Sequence, residues 1–105
     1  MGTHAPWKRV ETAIAARLGG QRIPVSGRGR GDQPDIAHPT FAVEVKLRGS
    51  LPGWLTGAAA QAKASARGDQ TPLVVLHVSG ARHRDDLCVL ALSDLVALID
   101  RDGGT

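Results

Sequence analysis

Cysteine is almost missing from this 105-residue chain: Cys88 stands alone, so no intrachain disulfide can form. It falls in the apolar run Leu87-Cys88-Val89-Leu90, where a buried structural thiol is expected rather than a nucleophile. No apolar run approaches the roughly 18–20 residues of a membrane span, so no membrane partner is expected. The first residues, with Thr3, His4, Pro6 and Trp7, lack the basic-then-apolar layout of a signal peptide, which points to a cytoplasmic protein. Missing too are a Gly-x-Ser-x-Gly elbow, a Gly-Lys-Ser/Thr phosphate loop, internal repeats and an inter-domain linker. His4, His38, His77 and His83 are scattered, with no i+4 pair and no cysteine cluster, so zinc is not expected.

What is present describes one soluble domain. Residues are 42% hydrophobic and 22% charged, enough for a single core over about residues 6–100, and a partner subunit would help a chain this small. Charge is unevenly spread. Residues 1–68 carry ten Lys or Arg against four Asp or Glu, whereas residues 69–105 carry three against six. The first two-thirds is therefore the part suited to a polyanion such as nucleic acid. Its four acids are Glu11, Asp32, Asp35 and Glu44. Acids within a phosphate-binding surface oppose binding unless a cation sits between, which points toward a metal.

Taken in order, the pattern opens with a helix from Pro6 to Leu18, with proline in the first turn and Gly19-Gly20 closing it. Trp7, Val10, Ile14 and Leu18 share one arc, and Glu11 lies at its edge. There it either finds a partner or metal or reaches out to solvent. Arg22–Ser26 reads as a short edge strand because of Pro24. Gly27–Asp32 is a glycine-arginine loop, suited to phosphate contact or simply solvated. Asp35–Ala37 is a short strand, turned by His38-Pro39 into Phe41–Arg48. That segment alternates strictly, with Phe41, Val43, Val45 and Leu47 on one side and Glu44, Lys46 and Arg48 on the other. Glu44 and Lys46 then project together, about 6–7 Å apart, as surface charge or as chemistry.

A second helix is expected from Trp54 to Arg67, rich in alanine. Trp54, Ala58, Gln61, Ala62 and Ser65 share a face on which Gln61 either meets a partner or is solvated. Pro72–Val78 reads as the central strand, buried on both faces. The charged loop Arg82–Asp86 leads to a strand at Leu87–Leu92. Ser93 reads as the N-cap of a closing helix, Asp94–Ile99, before a frayed tail from Asp100 to Thr105. The fold class is α/β, in α-β-β-β-α-β order, with a central mixed sheet flanked by helices.

The series helix Glu11, strand Asp35, then Glu44-Val45-Lys46 eight residues on, then helix Gln61, resembles the PD-(D/E)XK nuclease superfamily. It is closest to the small Holliday junction resolvase-like members, including phage and prophage enzymes. The resemblance covers about residues 6–92 and implies a restriction-endonuclease-like core in a bacterial or phage-infected cell. It implies Asp35 and Glu44 as Mg²⁺ ligands (Mn²⁺ substituting), with the Val45 carbonyl completing the protein side. Glu11 would bind metal directly, through water or at a second site. Lys46 would orient or deprotonate the attacking water and stabilise the developing charge, and Gln61 would hold Lys46 or a metal-bound water in position. Ser26, Arg28, Arg30 and Arg48 would meet the DNA backbone.

The residue types suit that chemistry: hard oxygens select Mg²⁺, and phosphodiester cleavage needs an activated water and charge neutralisation. The expectation is a Mg²⁺-dependent endonuclease selective for branched DNA. Paired cuts at a junction call for a two-fold homodimer. A general or nicking duplex nuclease, a non-catalytic DNA-binding module, and an RNA- or protein-binding adaptor are the alternatives.

Overall fold

Helix α1 covers Pro6–Leu18, the bounds its sequence sets. Pro6 has no N–H to waste in the first turn. At the other end Gly19, at φ +78°, takes the left-handed conformation that closes a helix. The Gly20 amide then donates to Ala15 O at 2.9 Å and the Gly19 amide to Ala16 O at 3.4 Å, the two reverse bonds of a Schellman cap. The computed structural model describes residues 6–25 and 31–103. They form two compact units, Met1–Gly49 and Ser50–Thr105.

In the first unit α1 packs on β1 (Gln21–Arg22) and β2 (Ile36–Ala37), an antiparallel pair with Arg22 opposite Ile36. Glu11, Ala15 and Leu18 form the inward stripe of α1, and Ile36 is fully buried against it. Gly20 is required by this approach: a Cβ there would lie 2.5 Å from Ala37 O and 2.9 Å from Ile36 Cγ2. His38 clasps the same corner. Its Nδ1 accepts the amides of Thr40 (3.0 Å) and Phe41 (3.3 Å). Backbone amides only donate, so the ring proton is on Nε2, which donates to Leu18 O at 3.0 Å.

The alternating segment 41–48 does not form the expected strand. Only Val43 bridges, to Ile36. The pleat is present, since Phe41, Val43 and Val45 are half-buried while Ala42, Glu44 and Lys46 are exposed. The ladder is interrupted because the Asp35 carboxylate takes the Val45 amide and Pro34 has no amide to offer. Likewise β1 ends at Arg22, before Pro24, where a strand from Arg22 to Ser26 is expected, and Ser26 itself lies outside the described residues.

The second unit begins with α2 (Gly53–Ser65), followed by β3 (Val74–Leu76), a 3-10 turn (His83–Asp85), β4 (Leu87–Val89) and α3 (Leu92–Gly103). β3 pairs antiparallel with β4, Leu76 opposite Leu87. Thus the fold is mixed α/β, with two small antiparallel sheets among the described residues in place of one central mixed sheet. β3 is not buried on both faces: Val75 is exposed, as is its neighbour Val78 at 72%. Cys88 is also exposed, because it sits opposite Val75 on that open face. Ser93 lies inside α3, not at its cap; the Ala91 carbonyl accepts the first helical amides, from Asp94 and Leu95. The helix continues to Gly103 where a frayed tail is expected. No helix among the described residues is long and apolar enough to cross a membrane.

Candidate functional site

α1 carries Glu11 into the interior of the first unit, where only 4% of its surface stays exposed. A carboxylate so placed has lost its water and must recover the energy from a donor. Arg22, on the facing strand, supplies one: Nε donates to Glu11 Oε1 at 2.8 Å. The guanidinium carbon also stands 5.3 Å from the centre of the Trp7 ring, a cation–π distance. Nη2 of Arg22 is buried with no hydrogen-bond partner among the described residues.

One step along the same ladder is Asp35. The Ile23 amide donates to its carbonyl at 2.9 Å, and its own amide donates to Val43 O at 2.8 Å. Its side chain is buried, and Oδ2 accepts the Val45 amide at 2.7 Å. That bond fastens Asp35 to the middle of Glu44-Val45-Lys46. Glu44 and Lys46 flank the anchored residue, and both are exposed. They stand on an open surface. A nearby cleft of about 520 Å³, lined by Ile23, Pro34, His38 and Phe41, includes neither of them.

The first unit therefore holds Glu11, Asp35, Glu44, Val45 and Lys46, with Asp35 in direct contact with the Glu-x-Lys segment. Arg48 is exposed, and its Nη1 donates to the adjacent Leu47 carbonyl at 3.0 Å. Gln61 belongs to the second unit, on α2, and is exposed; the half-buried face of that helix is Leu55, Ala58 and Ala62. Ser26, Arg28 and Arg30 lie outside the described residues. For a cation, Asp35 and Glu44 offer hard oxygens that suit Mg²⁺, whereas Glu11 already holds a guanidinium.

The second unit contains a cluster that the pattern of the sequence did not disclose: His77, His83 and Asp86, whose ligating atoms lie within 4.8 Å of one another. A search for helical i+4 pairs passes over it, because a hairpin mouth brings these residues together. The signal that marks it is His-x5-His-x2-Asp spanning a Ser79-Gly80 turn. No family model, curated protein or solved structure matches the chain.

Proposed function

We propose that the chain is a Mg²⁺-dependent DNA endonuclease centred on Asp35, Glu44 and Lys46, selective for branched DNA such as a four-way junction. The observation that carries this reading is the 2.7 Å bond from the Val45 amide to Asp35 Oδ2, which ties the buried acid to the exposed Glu-x-Lys pair. The α-β-β order of the first unit is the part of a restriction-endonuclease-like core on which it relies.

In this reading Asp35 and Glu44 hold Mg²⁺, with the Val45 carbonyl beside them. The ion would supply an acidified water and neutralise charge on the phosphoryl oxygens. Lys46, exposed two residues from Glu44, would bring an ammonium that offsets charge building as the phosphodiester opens. Glu11 acts through Arg22, fixing the strand that carries it, and not as a ligand. An exposed site set in the basic part of the chain suits a wide polyanion better than a small substrate. Paired cuts at a junction make a two-fold homodimer part of the proposal.

The test is incubation with four-way junction, flap, duplex and single-stranded DNA, with and without Mg²⁺. Junction cleavage that needs the ion is the expected result. Glu44→Ala and Lys46→Ala should each lower the rate by at least about 100-fold while leaving DNA binding in place. Undiminished cleavage by either variant overturns the assignment. A second reading, a DNA-binding module without catalysis, draws on the Glu11–Arg22 pair, which leaves one expected ligand committed elsewhere. It predicts binding with no cation-dependent strand breakage.

A further inference from the structure

We infer that His77, His83 and Asp86 form a binding site for a divalent transition-metal ion of the Zn²⁺ type. The site belongs to the second unit and does not rest on the nuclease reading, which uses other residues and a harder ion.

The hairpin constructs it. Leu76 pairs with Leu87, so the next residues outward, His77 and Asp86, face each other across the mouth. Between them the chain turns at Gly80, which has φ +86°, and tightens into the 3-10 turn. Three backbone bonds pin that path: Ala81 N to Val78 O at 2.9 Å, Asp85 N to Arg82 O at 3.0 Å, and Asp86 N to His83 O at 3.0 Å. The result aims two imidazoles at one carboxylate. His77 Nδ1 is 2.7 Å from Asp86 Oδ1, and His83 Nδ1 is 3.5 Å from Asp86 Oδ2. The rings stack, with centres 4.3 Å apart. Arg82 is bound to Asp85 instead, through both Nε (3.1 Å) and Nη2 (3.0 Å).

Two imidazole nitrogens and one carboxylate oxygen are the donors that Zn²⁺ and its neighbours favour and that Mg²⁺ does not. Ligand atoms on a tetrahedral zinc stand about 3.3 Å from one another. The two histidines meet different oxygens of Asp86, and the three ligand atoms lie within 4.8 Å of one another, so the widest pair must close by up to about 1.5 Å. Rotation of the exposed His83 ring can supply that movement. Three protein ligands leave a fourth position for water. The cluster also borders an open cleft of about 590 Å³ walled by Trp54, Val75, Ala81 and Leu87. Because imidazole ligates only when neutral, acidification should release the ion.

Titration of the metal-free full-length protein with ZnCl₂, followed by calorimetry, and with CoCl₂, followed by visible absorption, tests the site. One ion per chain is expected, with the strong cobalt bands of a low-coordinate site. His83→Ala and Asp86→Asn should each weaken binding by at least about tenfold, and the His77→Ala/His83→Ala double variant should abolish it. His83 is 85% exposed, so its removal leaves the fold intact, which far-ultraviolet circular dichroism checks. Glu44→Ala should keep the stoichiometry. Absence of saturable binding, unchanged binding by the double variant, or loss of the ion in Glu44→Ala would each overturn the inference.

Discussion

In residues 1–49 five described side chains are buried, and two of the five are the carboxylates Glu11 and Asp35; in residues 50–105 none of the described side chains is. The first unit holds acids at its centre and positions them with directional bonds, to Arg22 and to the Val45 amide. The second unit has the richer apolar composition but spreads it thinly. Its alanine helix brings little bulk, a partly open apolar cavity of about 320 Å³ lies between α2, β3 and β4, and Trp54, Val75, Val78 and Leu87 remain exposed. Directional bonds fix a side chain within tenths of an ångström, whereas loose apolar contact does not. That is why the first unit, with the poorer apolar composition, holds its two buried carboxylates in defined contacts.

The contrast can be broken at its strongest point by Arg22→Met, which takes the guanidinium from a carboxylate that has left water. Removing one member of a largely buried pair costs about 3 kcal/mol. Urea unfolding, followed by Trp7 fluorescence in a Trp54→Phe background, should show that loss. The Glu11→Leu/Arg22→Met double variant should restore most of it. A single variant as stable as the parent would mean that the pair does not organise this unit.

Next in size is a methyl group added in each unit. Gly20→Ala drives a Cβ against Ala37 O and should destabilise by about 2 kcal/mol. Gly57→Ala, in the interior of α2 with open space around it, should stabilise by about 0.5–1 kcal/mol. Thermal unfolding of the two variants should therefore shift in opposite directions, and equal shifts would erase the distinction. The smallest effect belongs to Val75→Thr on the exposed face of β3, expected within about 0.5 kcal/mol of zero. A larger loss, measured in the same way, would show that this face is covered in solution.

Local signals carried well from sequence to structure. Pro6 and Gly19-Gly20 bounded α1 because a missing amide and a positive φ are properties of single residues. Alternation over 41–48 matched the exposure of side chains as far as Lys46 and failed at Leu47, which is exposed although it falls on the apolar side. It could not predict the ladder, because Asp35 competes for the Val45 amide and a pattern of polarity does not register who bonds to whom. The central strand failed for a related reason. An apolar run states a preference for burial, but burial of Val75 also needs something to cover it. Among the proposed site residues, the contact of Asp35 with Glu44-Val45-Lys46 was readable from hairpin proximity. The Arg22 partner of Glu11 was not, since it depends on helix–strand register. The histidine cluster escaped because only a turn through Gly80 unites it.

The His38 clasp has a consequence in the time domain. Thr40 and Phe41 lie in a stretch outside the named strands, where amide protons would ordinarily exchange with solvent almost freely. Both point at the ring nitrogen of His38, whose other nitrogen grips the last carbonyl of α1. Their deuterium uptake should therefore be slow for a loop and should keep pace with the end of that helix, making two loop amides reporters of when the first unit opens.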